Sequence, residues 1–238
     1  MKEDDGLRFE LPDKSLTALP TGAVKDTVER LGHKIVLGGY PVGDVLPKED
    51  ELVATLDVSR TVIREAVKVL CGKGLVRTAR RYGSRVSPFT DWNLLDPDVI
   101  RWHKPDCPMT PTIHADAMQL RSIFEPEAAA LAAIHGSNDQ HDRILQAARK
   151  IHTDYGEEAM LGATFAFHST ILQATGNLML AHFQNVIHAI LVSSRTTDDN
   201  ASPEDPVPRE HHIAVAQAIR SHEPEVARQR MRDLLAKH

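Results

Sequence analysis

The chain is poor in the features that define several common classes of protein. Its 238 residues include only two cysteines, Cys71 and Cys107, which cannot form a disulfide framework or a paired-cysteine metal motif. Aromatic residues amount to 5% of the sequence, and no apolar run of about eighteen residues occurs that could cross a membrane. The acidic first fifteen residues lack the apolar core of a secretion signal. Together these absences predict a cytoplasmic protein.

The sequence also lacks the motifs of the common enzyme classes. It contains no G-x-S-x-G nucleophile motif, no phosphate-binding P-loop and no dinucleotide-binding glycine pattern. No cysteine and histidine stand in a setting suited to nucleophilic catalysis. We therefore predict that the protein is not an enzyme.

Positive charge is concentrated in one segment of an acidic chain. The whole chain has a net charge of −5, whereas residues 57–86 contain eight lysines and arginines against two acids, a local charge of +6. Duplex DNA binds such localised basic surfaces because their side chains displace phosphate counterions. The alternative is a solvated basic helix without a partner. The basic residues fall on both a predicted helix and a predicted hairpin tip, which favours DNA binding.

The residues around this basic segment have the periodicity of a winged helix-turn-helix. One helix is predicted from Ala23 to Leu37, and a second from Pro47, in its first turn, to about Leu56. Ser59 is the predicted N-cap of a third helix, Arg60 to about Cys71. A hairpin with strands at 75–78 and 85–87 completes the pattern.

The segment that begins at Leu46 reads LPKEDELVATLDVSRTVIREAVKVLCGKGLV and continues into a basic turn with glycine. It resembles the N-terminal domain of the GntR superfamily of bacterial transcription regulators. The resemblance implies that the recognition helix enters the major groove of DNA and the wing tip enters the minor groove. Asp50 stands where several members of the family carry an arginine. The residues predicted to contact DNA are Ser59, Arg60, Thr61 and Arg64 on the recognition helix, with Arg81, Tyr82 and Gly83 at the wing.

The second half of the chain has no strand pattern and reads as amphipathic helices with short connections, which is typical of an antiparallel bundle. The predicted fold class is therefore mainly α, with an N-terminal winged helix-turn-helix plus a C-terminal all-α antiparallel helical bundle. The predicted domains are a flexible arm at 1–18, the DNA-binding domain at 19–88, a linker with a short helix at 89–108 and the bundle at 109–238. The predicted helices of the bundle span 110–134, 139–155, 157–175, 178–197, 208–221 and 224–236.

Several landmarks make this bundle resemble the ligand-sensing FCD domain of the FadR-like subgroup of GntR regulators. They are Arg121-x-x-x-Glu125, Phe167-His168, Ala174-x-x-Asn177, and His212 followed by Ala218-Ile219. The string WN-x-LD-x-DV-x-x-W, which ends at Trp102, resembles a subset of the family, the galactonate-operon-repressor type. The resemblance implies a regulator that responds to a small-molecule effector.

Thirteen histidines raise the question of a metal site. Many FadR-like sensor domains hold a divalent metal with an aspartate and three histidines, as D-x-x-x-H and two later histidines. Aligned with that pattern, this chain has Thr164-x-x-x-His168, then His212 and Leu234, so two ligands of the four are replaced. Two imidazoles alone hold a metal weakly. We therefore predict no tightly bound metal and no firmly implied cofactor, with His168 and His212 as residual metal candidates.

Polar residues that face into the predicted bundle are candidates for binding an effector. A guanidinium suits a carboxylate, and Arg121 lies beside the apolar stripe of its helix, although an internal ion pair with Glu125 is the alternative. His168 and His212 share stripes with apolar residues, so a buried core histidine is the alternative for both. A helix cap is the alternative for Asn177. The predicted effector-binding residues are Arg121, Thr164, His168, His212 and Asn177.

The sequence thus predicts a ligand-responsive bacterial transcription regulator. The predicted role is repression of a sugar-acid or related carboxylate catabolic operon, with release from the operator when the effector binds. The predicted partners are a palindromic operator in double-stranded DNA, a small carboxylate such as an aldonate, and a second copy of the chain in a homodimer. Two alternatives stay open: an architectural DNA-binding protein without an effector, and a metal-dependent sensor.

Overall fold

The computed structural model describes residues 19–79, 83–103, 107, 109–151, 157–193 and 208–237. The chain divides into two compact units, with the border between Pro111 and Thr112. Within the described residues the named strands are the two of one hairpin, and the other regular elements are helices, which confirms the predicted mainly α class. No helix among them is long and apolar enough to cross a membrane.

The first unit begins with the three helices that the sequence predicts, α1 (Ala23–Val36), α2 (Glu49–Leu56) and α3 (Arg60–Gly72). The N-terminal border of α2 differs from the prediction. Lys48 has an extended backbone and is the N-cap, so Pro47 precedes the helix and does not lie in its first turn. Asp57 ends α2 in the left-handed conformation, with φ of 54°, and so turns the chain toward α3.

The third helix, α3, starts and packs as its sequence predicts. The hydroxyl of Ser59 accepts a hydrogen bond from the backbone N–H of Val62 at 3.3 Å and caps the helix. Ile63, Ala66 and Leu70 form its buried stripe, and the helix packs against α1. The buried stripe leaves the opposite side of α3 to its charged residues.

The hairpin of the wing consists of β1 (Val76–Ala79) and β2 (Gly83–Val86), paired antiparallel with Val76 opposite Val86. Both strands lie within one or two residues of the predicted bounds. A preceding segment extends the sheet, because the N–H of Leu46 donates to the carbonyl of Ser84 at 2.8 Å. The wing is therefore attached to the chain that leads into α2.

The predicted linker helix is α4 (Pro97–Trp102), which follows a short 3₁₀ turn at Phe89–Asp91. Trp102 is fully buried and packs on Gly32 of α1. A Cβ atom at position 32 would lie 2.5 Å from the indole ring, so the close approach requires glycine there. The helix is consequently part of the core of the first unit.

A buried ionic group joins the end of α3 to the start of α4. The Nζ atom of Lys73 lies 2.8 Å from Oδ1 of Asp96 and 2.7 Å from Oδ2 of Asp98. All three side chains are buried, and Asp96 also caps α4 by accepting from the backbone N–H groups of Asp98 and Val99. We call Lys73, Asp96 and Asp98 the Lys73 clamp.

The second unit is built from helices around an alanine-rich core. Two of the predicted helices differ from the structure. The helix predicted for 139–155 ends at Lys150, because Ile151 is extended, and the helix predicted for 178–197 is interrupted at Phe183. The helices are α5 (Thr110–His135), α6 (Asn138–Lys150), α7 (Glu157–Ala174), α8 (Leu178–His182), α9 (Gln184–Ser193), α10 (Arg209–Arg220) and α11 (Pro224–Leu235).

Two imidazoles close the C-terminal end of α5. The carbonyl oxygens of a last helical turn have no N–H partner within the helix. Nε2 of His141 donates to the carbonyl of Ala132 at 2.9 Å, and Nδ1 of His222 donates to that of Ala133 at 2.8 Å. The two rings meet edge to face with centroids 5.0 Å apart. These contacts tie α6 and the α10–α11 turn to the end of α5.

Candidate functional site

The exposed side of α3 presents the residues that the sequence assigns to DNA. Arg60, Thr61 and Arg64 are all exposed, and the arginine side chains keep 65% and 62% of their free surface. Residues four apart on a helix are neighbours on its surface, so the two guanidinium groups lie on one face. Ser59 is also exposed, but its hydroxyl already caps the helix. The basic face is thus available to a polyanion.

Both arginines of this face are paired with acidic residues in the first turn of α2. The Nε atom of Arg64 donates to both carboxylate oxygens of Glu49, each at 3.0 Å. A terminal nitrogen of Arg60, Nη2, lies 2.9 Å from Oδ1 of Asp50. Sequence reasoning noted Asp50 as a departure from the family but did not foresee either pair.

Of the three wing residues predicted to contact DNA, the structure describes Gly83. Gly83 is exposed at the start of β2 and has φ of 77°, a left-handed conformation that glycine adopts without strain. Arg81 and Tyr82 lie outside the described residues. Arg85 is half-buried and donates to the backbone carbonyl of Gly43, so its side chain braces the wing. Arg77 on β1 is exposed.

Three charged or polar side chains meet inside the helical unit. Nε of Arg121 donates to Oε1 of Glu125 at 2.5 Å, and Nδ1 of His168 lies 2.6 Å from Oε2 of the same carboxylate. Nη2 of Arg121 lies 3.0 Å from Nε2 of His168, which closes the ring of contacts. Each of the three residues is at most 2% exposed. We call this group the buried triad.

The hydrogen bonds of the buried triad fix the position of the imidazole proton. A carboxylate only accepts, so Nδ1 of His168 must carry the hydrogen, and Nε2 then accepts from Arg121. Burial lowers the pKa of His168 below its ordinary value, despite the opposing effect of Glu125. Burial raises the pKa of the Glu125 carboxyl, but Arg121 and His168 outweigh it and lower that pKa to about 2. At neutral pH the triad therefore contains one cation, one anion and a neutral imidazole.

The internal ion pair considered for Arg121 is thus present, but it leaves part of the guanidinium uncommitted. The Nε edge binds Glu125, and among the described residues Nη1 approaches only Met118 Sδ, a weak acceptor, at 3.7 Å. A guanidinium has five N–H groups, and the triad uses two of them. The remaining terminal N–H groups have the geometry to bind a second carboxylate.

The other residues predicted to bind an effector occupy different settings. His212 is buried, with its ring centroid 6.0 Å from that of His168 and 5.2 Å from that of Phe167. Thr164 is half-buried, one turn before His168, and its hydroxyl donates to the carbonyl of Met160 at 2.9 Å. His168 and His212 are therefore brought together, with Thr164 on the helix of His168.

Asn177 lies in a different kind of place. It is the exposed N-cap of α8, and its Oδ1 accepts from the N–H groups of Met179 and Leu180 at 2.9 and 3.3 Å. The hydrogen bonds of the Asn177 side chain go to the backbone of Met179 and Leu180, and its own backbone bonds to Thr175 and Ala181. In this structure the side chain acts as the helix cap that was the alternative interpretation.

At two of the positions that align with metal ligands in FadR-like sensors, this chain has Leu234 and His168. Leu234 is fully buried, and both nitrogens of His168 contact partners within the buried triad. Among the described residues, no group of three or more histidine, cysteine, aspartate or glutamate side chains is arranged to hold a metal ion.

Comparison with known protein families identifies both halves of the chain. The family described as "Bacterial regulatory proteins, gntR family" matches residues 23–86, and the FCD domain matches residues 116–237. The chain belongs to the GntR family. It is therefore a DNA-binding transcription regulator with an FCD domain, and not an enzyme, as the sequence motifs predict.

Relatives of this GntR regulator match most of its length. The galactonate operon transcriptional repressor of Escherichia coli K12 is 30% identical over 210 residues, which cover 87% of this chain and 90% of the repressor. The uncharacterised regulator YieP of the same organism is 32% identical over 165 residues, covering 68% of this chain and 71% of YieP. A solved structure described as "Lar controls the expression of the Listeria monocytogenes agr system and mediates virulence" covers 91% of this chain and 94% of its own, with a TM-score of 0.63 at 17% identity. The last likeness supports the fold.

Proposed function

We propose that this GntR regulator is a homodimeric repressor of a sugar-acid or related carboxylate catabolic operon. It binds a two-fold operator through α3 and the wing, and it releases the operator when a small hydroxylated carboxylate binds in the FCD domain. The observation that carries the proposal is the buried triad, because it keeps a partly uncommitted guanidinium inside the helical unit, beside its apolar core.

The chemistry of the buried triad favours a small carboxylate over an apolar ligand. Terminal N–H groups of Arg121 suit a carboxylate in the bidentate geometry that arginine prefers. The hydroxyl of Thr164 and the imidazole of His212 supply polar groups nearby for hydroxyl groups of the effector. A relative at 30% identity is named for the galactonate operon, which supports an aldonate as the first compound to test.

The burial of the triad fits a regulatory role. Arg121 is 2% exposed, so an effector can reach it only when the surrounding side chains or helices move. A ligand shifts a conformational equilibrium by as much as its affinity differs between the two states. Binding that requires such a rearrangement therefore links occupancy of the FCD domain to its conformation.

The DNA side of the proposal rests on the exposed arginines of α3. Arginine commonly reads guanine through its O6 and N7 atoms in the major groove. A single winged domain buries little DNA surface, and two-fold operators mirror two-fold proteins, so we expect two copies of the chain on each operator. The site residues at the wing complete the interface by contacting phosphates and the minor groove.

The test uses a DNA duplex that the full-length protein selects from a pool of duplexes with randomised sequence. Fluorescence anisotropy follows release of the labelled duplex during titration with D-galactonate. D-galactose is the matched control, since it has the same hydroxyl pattern along most of the chain but no carboxylate. Release by galactonate alone, from a complex with two chains per duplex by sedimentation, supports the proposal. A complex that no sugar acid dissociates contradicts the effector class, and one chain per duplex contradicts the dimer.

A further inference from the structure

The two base-reading arginines of α3 are held by their acidic partners through different edges. Glu49 takes the Nε atom of Arg64 with both of its oxygens. Within the described residues, Nη1 and Nη2 of Arg64 make no hydrogen bond. Asp50 instead contacts a terminal nitrogen of Arg60, Nη2. The two pairs look equivalent in charge but differ in which nitrogens they leave for DNA.

The difference matters because a guanine is read through two N–H groups of one guanidinium. A carboxylate at Nε limits the rotation of the guanidinium and leaves both terminal nitrogens for O6 and N7. A carboxylate at Nη2 occupies one of the nitrogens that the bidentate contact needs. Glu49 is therefore compatible with base reading by Arg64, whereas Asp50 competes with DNA for Arg60.

The two acids also differ in how much of each side chain is exposed to solvent. The side chain of Asp50 keeps 68% of its free surface, while that of Glu49 keeps 43%. An exposed carboxylate on a surface that approaches phosphates repels them, and position 50 is where several members of the family carry an arginine. Exposed ion pairs contribute little to folding stability, so substitutions here leave the fold unchanged.

We propose that Glu49 is a positioning residue that holds Arg64 for a guanine, and that Asp50 limits DNA affinity by competing for Arg60. The proposal rests on the proposed DNA-binding role of α3. It assigns opposite effects on DNA binding to two neighbouring acids. If the two acids acted only through their charge, they would have the same effect on DNA binding, because each adds one negative charge to the surface.

The variants Glu49→Gln and Asp50→Asn form a matched pair for this test. Both are close in shape to the wild-type residue, both remove one negative charge, and both lie in the first turn of α2. Any loss of favourable interaction with the helix dipole is therefore common to the two. Circular dichroism and thermal unfolding check that both variants fold like the wild type.

The binding measurement uses two probes with the full-length protein, the selected duplex and the unselected randomised pool. Glu49→Gln is expected to lower the affinity for the selected duplex about tenfold, because Arg64 loses its fixed orientation. A repeat of the selection with Glu49→Gln is expected to lose the preference for guanine at one position of each half-site. Asp50→Asn is expected to raise the affinity for the unselected pool about fivefold at about 0.15 M salt, since Arg60 becomes available to phosphates.

Every other outcome contradicts one part of the proposal. If both variants bind the selected duplex more tightly, or if guanine preference survives in Glu49→Gln, Glu49 has no positioning role. If Asp50→Asn binds the pool no better than the wild type, Asp50 does not compete for Arg60. Arg64→Ala separates these results from the proposed function. Equal binding of the selected duplex by Arg64→Ala would remove α3 from the interface and overturn both proposals, whereas weakened binding with an unaffected Glu49→Gln overturns only the positioning.

Discussion

Nδ1 of His168 lies 2.6 Å from Oε2 of Glu125, although the two residues are 43 positions apart and belong to different helices. The same carboxylate accepts from Arg121, one helical turn away. One buried anion is thus shared between a permanent cation and a neutral imidazole. Because each member satisfies the others, the group is stable inside an apolar core only while it is complete.

The first prediction concerns the stability of the fold at acidic pH. Glu125 has a lowered folded-state pKa of about 2, so its contribution is present above an ordinary carboxyl pKa of 4.5 and is lost as the pH falls toward 2. The folded-state pKa of His168 is also lowered, so below about pH 6.5 the unfolded chain binds this proton first and the folded state loses stability. Both contributions have the same sign. The free energy of unfolding should fall on acidification, by about 3 kcal/mol for Glu125 alone.

Urea unfolding at a series of pH values between about 7.5 and 2 measures this dependence. The variant His168→Gln should show a shallower dependence between about pH 7 and 5, since it lacks the imidazole that the unfolded chain protonates. His211→Gln removes a histidine outside the triad and controls for the loss of an imidazole as such. An unchanged slope in His168→Gln would show that His168 does not contribute.

The second prediction concerns the ion pair within the triad. Arg121→Met should cost about 3–5 kcal/mol, because it leaves the carboxylate of Glu125 buried without its cation. The double variant Arg121→Met, Glu125→Leu should regain much of that loss, since no unpaired charge remains. Thermal and urea unfolding of the two single variants and the double variant give the coupling. If the double variant regains nothing, the pair is not a unit.

The double variant also tests effector binding separately from folding. We expect it to bind the selected duplex like the wild type but not to release it on addition of galactonate, because the guanidinium is gone. Release at the wild-type concentration would remove Arg121 from the proposed effector site.

The third prediction concerns the Lys73 clamp. Lys73→Met should destabilise the protein by about 3–5 kcal/mol, because it leaves the buried carboxylate of Asp96 without its cation and leaves Asp98 with Arg101 as its only cation among the described residues. The control is Lys68→Met, which removes an exposed lysine paired with Glu65 and should change the stability by less than about 0.5 kcal/mol. Similar stabilities for the two variants would mean that the clamp contributes no more than a surface pair.

The fourth prediction concerns sequence recognition. Arg64→Ala should weaken binding of the selected duplex by about 1–3 kcal/mol, the cost of losing one bidentate base contact. Arg143→Ala removes the same charge from an exposed position of the second unit and is the control. Arg81→Ala should act through phosphates and reduce the salt dependence of binding. An equal loss for Arg64→Ala on selected and unselected duplexes would assign Arg64 to the phosphate backbone.

The fifth prediction concerns metal. The purified protein should hold no stoichiometric divalent metal, because Thr164 and Leu234 replace two ligands of the FadR-like pattern. The double variant Thr164→Asp, Leu234→His restores that pattern beside His168 and His212, so it should gain a metal that elemental analysis detects. One tightly held metal per wild-type chain would contradict the first statement. A variant that folds but binds no metal would contradict the alignment.

Local features of the fold could be predicted from the sequence because they depend on neighbouring residues. The cap at Ser59 and the stripe of Ile63, Ala66 and Leu70 are encoded within about three turns of chain. The break at Phe183 could not be predicted, since neither glycine nor proline marks it and its own backbone angles are helical.

Contacts between distant segments were beyond the reach of periodicity. A repeat of apolar residues shows which side of a helix is buried, but not which residue of another helix lies opposite. The contact between Glu125 and His168 and the contact between Lys73 and Asp98 both depend on that missing information. Opposite charges at Glu49 and Arg64 are visible in the sequence, yet only the turn between α2 and α3 brings them together.

The imidazoles of His141 and His222 at the end of α5 carry a consequence for how this chain uses histidine. His141 donates to the carbonyl of Ala132, which also accepts from the backbone N–H of Gly136 at 2.9 Å. His222 donates to the carbonyl of Ala133, which a further helical turn would have satisfied, so a side chain takes the place of the next peptide N–H. His103 makes the same contact with Val99 at the end of α4. The proton is therefore located on Nε2 of His141 and on Nδ1 of the other two rings, an arrangement that nitrogen NMR can read directly. Three histidines of this protein thus bind carbonyl groups at the C-terminal ends of helices, His103 at α4 and His141 and His222 at α5.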